Sequence, residues 1–208
     1  ISVPARNQPL NEPDHLADLK AFAGRRARPI AYLSIGEVAR TTARAKGLDR
    51  SWVLAENAAW SSLVMDVSSA SYRAYVIDRF ERLWAAGYRG FFLDTLDSYR
   101  LARRPEREAA ARQGLIAIIE ELGRRHPGVR LLVNRGFELL SDVADVVSGV
   151  VAESLFDRWD AATQSYGPVP EADRRWLLTE LERARDQLGL PVTVIDYRPE
   201  DERPQARD

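Results

Sequence analysis

The chain has 208 residues, of which 45% are hydrophobic and 29% charged, a composition typical of a globular protein with one substantial core. Its formal net charge of −1 argues against a general nucleic-acid footprint, which needs an excess of basic residues. The absence of cysteine excludes disulfides, thiolate metal sites and a cysteine nucleophile, and only two histidines disfavour a histidine-rich metal site. No apolar run approaches the roughly 20 residues that a membrane-spanning helix needs, so we expect no membrane insertion.

The N-terminal third predicts a tail, a helix and two strands. Residues 1–13 are polar and proline-rich, which predicts a loop or tail and does not fit a signal peptide. Apolar residues at helical spacing predict a first helix over 14–24. An apolar run that ends in polar residues predicts a strand at 30–35, and the polar segment 38–58 predicts a loop with helical turns.

The rest of the chain alternates between short apolar runs and amphipathic segments. Helices are predicted over 69–86, 105–125 and 171–189, with a helical or turn segment at 138–145. Six strands are predicted in all, at 30–35, 62–67, 90–94, 130–134, 149–153 and 192–196. Strands that alternate with helices indicate an α/β fold in which a parallel sheet is covered by helices. The charged residues 199–208 predict a loose tail.

Polar side chains recur at or just past the C-terminal ends of these strands: Glu37, Asp66, Asp94, Asn134, Glu153 and Asp196. In parallel strands these ends meet at one edge of the sheet. In a (β/α)₈ barrel that edge holds the active site, whereas a doubly wound sheet would gather only the residues beside its switch point. No glycine-rich phosphate-binding motif of the GxGxxG or GxxxxGK[ST] type occurs, so nucleotide-binding versions lose their usual cradle.

Several carboxylates around one mouth suit glycoside hydrolysis, in which one carboxyl group protonates the leaving oxygen and a second acts as nucleophile or base. Asp94 and Glu153 form the best pair, because each ends an unambiguous apolar strand. The structural alternatives are that Asp94 caps the next helix and that Glu153 forms a salt bridge with Arg135 or Arg158. The other acids at these strand ends fit a supporting role equally well.

Aromatic side chains accompany the acids and could stack on sugar rings. Tyr32 and Tyr197 are the better candidates because they lie at strand ends, whereas we place Trp60, Trp84 and Trp176 in the core or between helices. The side chains expected to contact substrate are the polar and aromatic ones near the strand ends: Tyr32, Ser34, Glu37, Asp97, Tyr99, Asn134, Asp196 and Tyr197.

Five motifs, in order, carry a resemblance to a known family: YLSIGE, GYRGFFLDTLDSY, LLVNRGFELL, GVVAESLF and VTVIDY. Together they resemble the bacterial and fungal α-1,4-galactosaminidase group of (β/α)₈ glycoside hydrolases, and above all the hydrolase domains that process the Pel exopolysaccharide of biofilms. The likeness covers about residues 28–198 and rests on the combination of motifs, since no single one is specific.

The resemblance implies an endo-acting hydrolase of partly deacetylated α-1,4-linked galactosamine polymers, with no metal or cofactor, in the periplasm or secreted. The family's two acidic positions match Asp94 and Glu153. By analogy with other barrels that carry acids on the fourth and sixth strands, Asp94 is the nucleophile and Glu153 the acid/base, although the reverse assignment stays open. The expected partner is a polysaccharide substrate and not a nucleic acid. Further domains or exopolysaccharide-export proteins outside this chain could also be partners.

One feature departs from the family pattern. A complete barrel has eight strands, whereas the sequence of this single predicted barrel domain, 1–208, shows six. The chain is then either a trimmed domain or an incomplete barrel. Two other function classes stay open, a carbohydrate-binding barrel that has lost catalysis and an unrelated α/β hydrolytic or phosphate-handling enzyme.

Overall fold

The structure is a computed structural model that describes residues 28–160 and 163–197. In chain order the strands are β1 (Ile30–Ser34), β2 (Glu37–Ala39), β3 (Val53–Asn57), β4 (Ser62–Met65), β5 (Gly90–Asp94), β6 (Arg130–Asn134), β7 (Gly149–Glu153), β8 (Asp157–Asp160), β9 (Ser165–Pro168) and β10 (Val192–Ile195). The α-helices are α1 (Arg40–Ala45), α2 (Ala70–Ala85), α3 (Pro105–Arg125), α4 (Leu140–Val143) and α5 (Glu171–Asp186), and 3₁₀ turns lie at Arg50–Trp52 and Ser98–Ala102. The helix predicted over 14–24 and the two predicted tails lie outside the described residues.

The central sheet has five strands in the order β1-β5-β6-β7-β10, and every neighbouring pair is parallel. The strand order along this sheet follows the chain, and helices lie between successive strands, which is the winding of a (β/α)₈ barrel. The described residues form an open arc of such a barrel, with β1 and β10 at its two edges. The predicted α/β class and five of the six predicted strands are confirmed.

Helices cover one face of this sheet because alternate strand residues and one stripe of each helix are apolar. Ser69 caps α2 by accepting a hydrogen bond from the backbone N–H of Tyr72, as the sequence predicted. The ring of Phe80 on α2 packs 4.2 Å from the ring of Phe91 on β5, centroid to centroid. Gly114 lets α3 approach closely, since a Cβ there would lie 2.2 Å from the carbonyl oxygen of Val67.

The opposite face of the sheet carries the other alternate set of side chains. Tyr32 and Phe92 stack there with ring centroids 6.0 Å apart, because their positions are directly paired between β1 and β5. On the two edge strands this face is open, with Tyr32 42% and Ile195 38% exposed. The C-terminal ends of the strands therefore present side chains onto an accessible inner surface.

Two small antiparallel sheets correct the sequence prediction. The predicted strand at 62–67 is β4, which pairs with β2 and β3 in a separate sheet and does not belong to the barrel. The segment 38–58, predicted as a loop, supplies α1, β3 and part of β2. A short apolar run fixes neither the partner nor the direction of a strand, which explains the error. The hairpin of β8 and β9 has no apolar run and was not predicted.

The tryptophan predictions divide. Trp84 is half-buried and stacks on Phe80, whereas Trp60 is 72% exposed and Trp176 is 50% exposed. Trp60 lies at the tip of the β3–β4 turn, and Trp176 lies on α5, where its ring contacts Phe137 edge-on. Within the described ranges, no helix combines the length and the apolar character that crossing a membrane requires.

Candidate active site

A continuous row of hydrogen bonds crosses all five strands of the central sheet at their C-terminal ends. The hydroxyl of Tyr32 donates to Oδ2 of Asp94 over 2.5 Å. The amide Nδ2 of Asn134 donates to Oδ1 of Asp94 and to Oε1 of Glu153, over 2.8 Å in each case. The hydroxyl of Tyr197 donates to Oε2 of Glu153 and ends the row.

The strand register explains why these side chains meet. Asp94 and Asn134 are the last residues of neighbouring strands, and Glu153 is the last residue of the next strand along the sheet. Asn134 pairs with Val151, so Glu153 lies one pleat beyond it on the same face. Tyr32 comes from one edge strand, and Tyr197 follows the other edge strand after a two-residue step.

The shared amide limits the separation of the two carboxylates. Because Oδ1 of Asp94 and Oε1 of Glu153 each lie 2.8 Å from the same nitrogen, the two oxygens are at most twice that distance, 5.6 Å, apart. In glycosidases that retain the anomeric configuration the carboxyl groups are about 5–5.5 Å apart, against about 6.5–9.5 Å in inverting ones. The upper limit on this pair is the spacing of a retaining site.

The two tyrosines hold their protons firmly. Burial raises the pKa of Tyr32 far above its ordinary value, and the negative charge of Asp94 and the hydrogen bond to it raise it further. Burial also raises the pKa of Tyr197, with the hydrogen bond to Glu153 and the charge of that residue as the next causes. Both phenols therefore remain hydrogen-bond donors throughout the physiological pH range.

The residue after each of the three central side chains has a left-handed backbone. Thr95, Arg135 and Ser154 have φ angles of 62°, 56° and 62°, although none is glycine. This conformation costs roughly 1–2 kcal/mol for a residue with a Cβ. It turns the chain out of the strand at once, so Asp94, Asn134 and Glu153 stand at the rim of the sheet.

Arg135 does not neutralise Glu153. Its guanidinium Nη2 donates to the backbone carbonyl of Glu153 over 2.8 Å, and not to the carboxylate. Arg158, the other predicted partner, lies 3.8 Å from Asp173 on α5. No salt bridge to Asp94 or Glu153 occurs among the described residues, so the site holds two carboxylates whose contacts are neutral donors.

Glu37 belongs to a different cluster, which corrects the expectation that it contacts substrate. Its side chain is buried, with the residue 6% exposed. Oε1 accepts hydrogen bonds from Asn57 over 3.0 Å and from Ser98 over 2.6 Å, and Oε2 accepts one from Ser62. These donors come from β3, β4 and the 3₁₀ turn after β5, so Glu37 ties the small sheet to the loop that follows Asp94.

Ser34 lies between these two clusters. Its hydroxyl donates to the backbone carbonyl of Glu37 over 2.7 Å and lies 2.9 Å from Oγ1 of Thr95. Oγ1 of Thr95 also accepts a hydrogen bond from the N–H of Gly36, where a Cβ would lie 2.2 Å from the carbonyl oxygen of Thr95. Ser34 is part-buried and braces the loop that carries Thr95, which favours a structural role over substrate contact.

Tyr99 and Asp196 also have supporting positions, which corrects their expected contact with substrate. Tyr99 is 7% exposed and its hydroxyl donates to Glu138 over 3.1 Å. Oδ1 of Asp196 accepts hydrogen bonds from the backbone N–H groups of Phe156 and Asp157, over 2.9 and 3.0 Å. Asp196 thus fixes the start of the β8–β9 hairpin against the end of β10.

Asp97 and Asp66, the remaining acids of the sequence prediction, differ in place. Asp97 is exposed beside the mouth, where partial desolvation raises its pKa, the charge of Glu138 adds to the rise, and Arg135 and Arg100 oppose it. Asp66 accepts hydrogen bonds from the N–H and hydroxyl of Ser68 and pairs with Arg107 at 3.1 Å. Because Asp66 follows β4, it lies outside the row of carboxylates at the barrel mouth.

Comparison with known proteins agrees with this site. Residues 7–208 match the profile of glycoside-hydrolase family GH114. The glycoside hydrolase domain of PelA from Pseudomonas aeruginosa is 40% identical, with a TM-score of 0.83 over 94% of this chain and 78% of that one. A structure of the same domain with a glutamate-to-alanine substitution gives the same values.

A more distant structure shares the fold. Ega3 from Aspergillus fumigatus, solved in complex with galactosamine, is 15% identical, with a TM-score of 0.66 over 95% of this chain and 73% of that one. Comparison with curated proteins gave no significant match. The family match spans nearly the whole chain and the PelA domain exceeds 30% identity, so the chain belongs to glycoside-hydrolase family GH114.

Proposed function

We propose that this GH114 glycoside hydrolase is endo-acting and cleaves α-1,4-linked, partly deacetylated N-acetylgalactosamine polysaccharide through Asp94 and Glu153. The observation that carries the proposal is the pair of carboxylates at neighbouring strand ends, held by one shared amide at most 5.6 Å apart. Galactosamine as the sugar is supported by the sequence motifs and by the ligand in the Ega3 structure. A location in the periplasm or outside the cell follows from the same resemblance.

The spacing supports a double displacement with retention of the anomeric configuration. In the first step an oxygen of Asp94 bonds to the anomeric carbon, the glycosidic C–O bond breaks, and Glu153 gives its proton to the leaving oxygen. In the second step water bonds to the anomeric carbon, Glu153 accepts the proton of that water, and the bond to Asp94 breaks. The assignment of Asp94 as nucleophile follows the analogy with other barrels, and the reverse assignment gives the same stereochemistry.

The test is hydrolysis of a galactosamine polymer by the wild type, Asp94→Asn and Glu153→Gln, with products sized by mass spectrometry. Both substitutions are near-isosteric, so each should lower kcat by at least about 10²-fold without unfolding the protein. A mixture of internal fragments indicates endo cleavage, and proton NMR of the first product gives its anomeric configuration. Wild-type rates in both variants would refute the carboxylate assignment.

The same experiment separates the alternative of a non-catalytic carbohydrate-binding barrel. That alternative expects wild-type protein to bind the polymer and release no fragments. An α-configured first product supports retention, whereas a β-configured one would show that the pair acts through inversion despite its short spacing.

A further inference from the structure

The β8–β9 hairpin carries an aromatic surface that the two-carboxylate mechanism does not use. Its strands pair antiparallel, with Trp159 opposite Tyr166 and Arg158 opposite Gly167. Directly opposed residues share a face and successive residues alternate. Trp159 and Tyr166 therefore lie on one face of the hairpin, and Arg158 lies on the other.

The contacts of the two faces show which one turns toward the carboxylates. Arg158 lies 3.8 Å from Asp173 on α5, so its face turns toward the helix layer. Tyr166, on the opposite face, lies close enough to Tyr197 for its charge to add slightly to the rise in the pKa of Tyr197 that burial and Glu153 chiefly cause. The aromatic face is therefore continuous with the end of the hydrogen-bonded row.

Two further contacts hold the hairpin in this position. Asp196, the residue before Tyr197, accepts hydrogen bonds from the backbone N–H groups at the start of β8. At the other end of the hairpin the N–H of Val169 donates to the carbonyl of Phe156 over 2.8 Å. The placement of the aromatic face beside Glu153 is thus set by backbone hydrogen bonds.

Three aromatic side chains on this surface are accessible. Phe156 is 52% exposed, Tyr166 45% and Tyr197 36%. The ring of Tyr166 is supported from one side by Trp159, whose centroid lies 4.9 Å away with an interplanar angle of 65°. Exposed aromatic rings grouped beside a polar site are characteristic of ligand-binding surfaces and not of ordinary scattered surface residues.

We propose that Phe156, Tyr166 and Tyr197 form a subsite that stacks a hexosamine ring of the polysaccharide next to the ring that is cleaved at Asp94 and Glu153. The inference rests on the proposed function, because it requires a polysaccharide chain to pass over Glu153. An aromatic face suits the apolar C–H face of a pyranose, and phenol hydroxyls suit its polar rim. A protonated amino group on the sugar adds attraction to the ring faces.

The experiment compares Tyr166→Leu with its matched control Tyr166→Phe on a galactosamine polymer. The leucine variant lacks the aromatic face, whereas the phenylalanine variant keeps the face and lacks only the hydroxyl. For Tyr166→Leu we expect KM to rise about 3- to 10-fold with kcat within twofold of the wild type. For Tyr166→Phe we expect wild-type KM and kcat, and both variants should keep the wild-type melting temperature because Tyr166 is exposed.

An unchanged KM in Tyr166→Leu would overturn the subsite, and so would an equal rise in both variants, because the effect would then belong to the hydroxyl. Failure of the proposed function is separable. If the wild type does not hydrolyse the polymer, calorimetric binding of a galactosamine oligomer to the wild type and to Tyr166→Leu tests the subsite alone. Weaker binding by the leucine variant supports the subsite there, and equal binding refutes it.

Discussion

Asp94 and Glu153 share one hydrogen-bond donor, the side-chain amide of Asn134. An amide N–H can only donate, so Oδ1 of Asp94 and Oε1 of Glu153 must both act as acceptors. A proton carried by either carboxyl group therefore belongs on its other oxygen. That oxygen faces a tyrosine hydroxyl in each case, and a hydroxyl can both donate and accept. If Glu153 is the acid, its proton lies on Oε2.

Replacing the shared donor should damage catalysis more than folding. Asn134→Asp replaces the amide nitrogen with a third carboxylate oxygen between two others, which removes both hydrogen bonds and adds like-charge repulsion. We expect kcat to fall by about 10²- to 10³-fold, the usual effect of losing one well-placed donor. Steady-state kinetics beside far-UV circular dichroism would measure this. A folded Asn134→Asp variant with the wild-type kcat would contradict the role assigned to Asn134.

Replacing Glu37 should have the opposite effect. Glu37→Leu leaves Asn57, Ser62 and Ser98 without their buried acceptor, so we expect the free energy of unfolding to fall by about 3 kcal/mol. KM should stay at the wild-type value in the folded fraction, because the side chain is buried. Urea unfolding and steady-state kinetics together decide the matter. Unchanged stability with a large rise in KM would return Glu37 to the substrate-binding set.

Alkaline stability should depend on Tyr72. Burial raises the pKa of this tyrosine well above 10, and its hydroxyl donates to the carbonyl of Ile35 over 2.7 Å. Above about pH 10 the unfolded chain releases this proton while the folded chain retains it, so the stability present below pH 10 is lost as the pH rises. The loss from one such group is at most about 1.4 kcal/mol per pH unit.

The measurement is the free energy of unfolding in urea at pH 8 and at pH 11 for the wild type and Tyr72→Phe. The variant should be less stable at pH 8, because the hydrogen bond to Ile35 is lost, and should lose less stability between the two pH values. The other tyrosines are present in both proteins, so they do not affect the difference. Parallel pH profiles would show that Tyr72 does not contribute.

A cationic substrate should be preferred, although less strongly than the sequence alone suggested. The sequence placed six acids at the mouth, but Glu37 and Asp196 are bonded internally and Asp66 pairs with Arg107. Asp94, Glu153 and the exposed Asp97 remain to attract free amino groups. Partly deacetylated oligomers should be cleaved faster than fully acetylated ones, and added salt should reduce the difference. Equal rates without salt dependence would refute the electrostatic argument.

The barrel strands and the carboxylate pair could be read from the sequence because buried parallel strands are short continuous apolar runs with polar ends. The runs at 90–94, 130–134 and 149–153 match β5, β6 and β7 residue for residue. The same property misled at 62–67, which is equally apolar yet pairs antiparallel in the second sheet. Pairing direction is decided by distant partners that no local pattern contains.

The roles of individual acids could not be read from the sequence for a related reason. Glu37 and Asp94 both follow apolar strands, and what distinguishes them is which donors the fold brings to each. Glu37 receives hydroxyls from Ser62 and Ser98, which lie far along the chain. A serine or asparagine at those positions gives no signal of its own. The left-handed residues after the strands were equally unpredictable, since none is glycine.

The row of hydrogen bonds begins on one edge strand of the central sheet and ends directly after the other. Tyr32 and Tyr197 are distant in sequence, and the three residues between them belong to the strands in the middle of the sheet. A folding intermediate that had formed only β5, β6 and β7 would contain Asp94, Asn134 and Glu153 but neither phenol. Contacts between residues so far apart in sequence carry the largest loop-closure cost. Full enzymatic activity should therefore be the last property that a refolding chain regains, and it reports on complete assembly of the sheet.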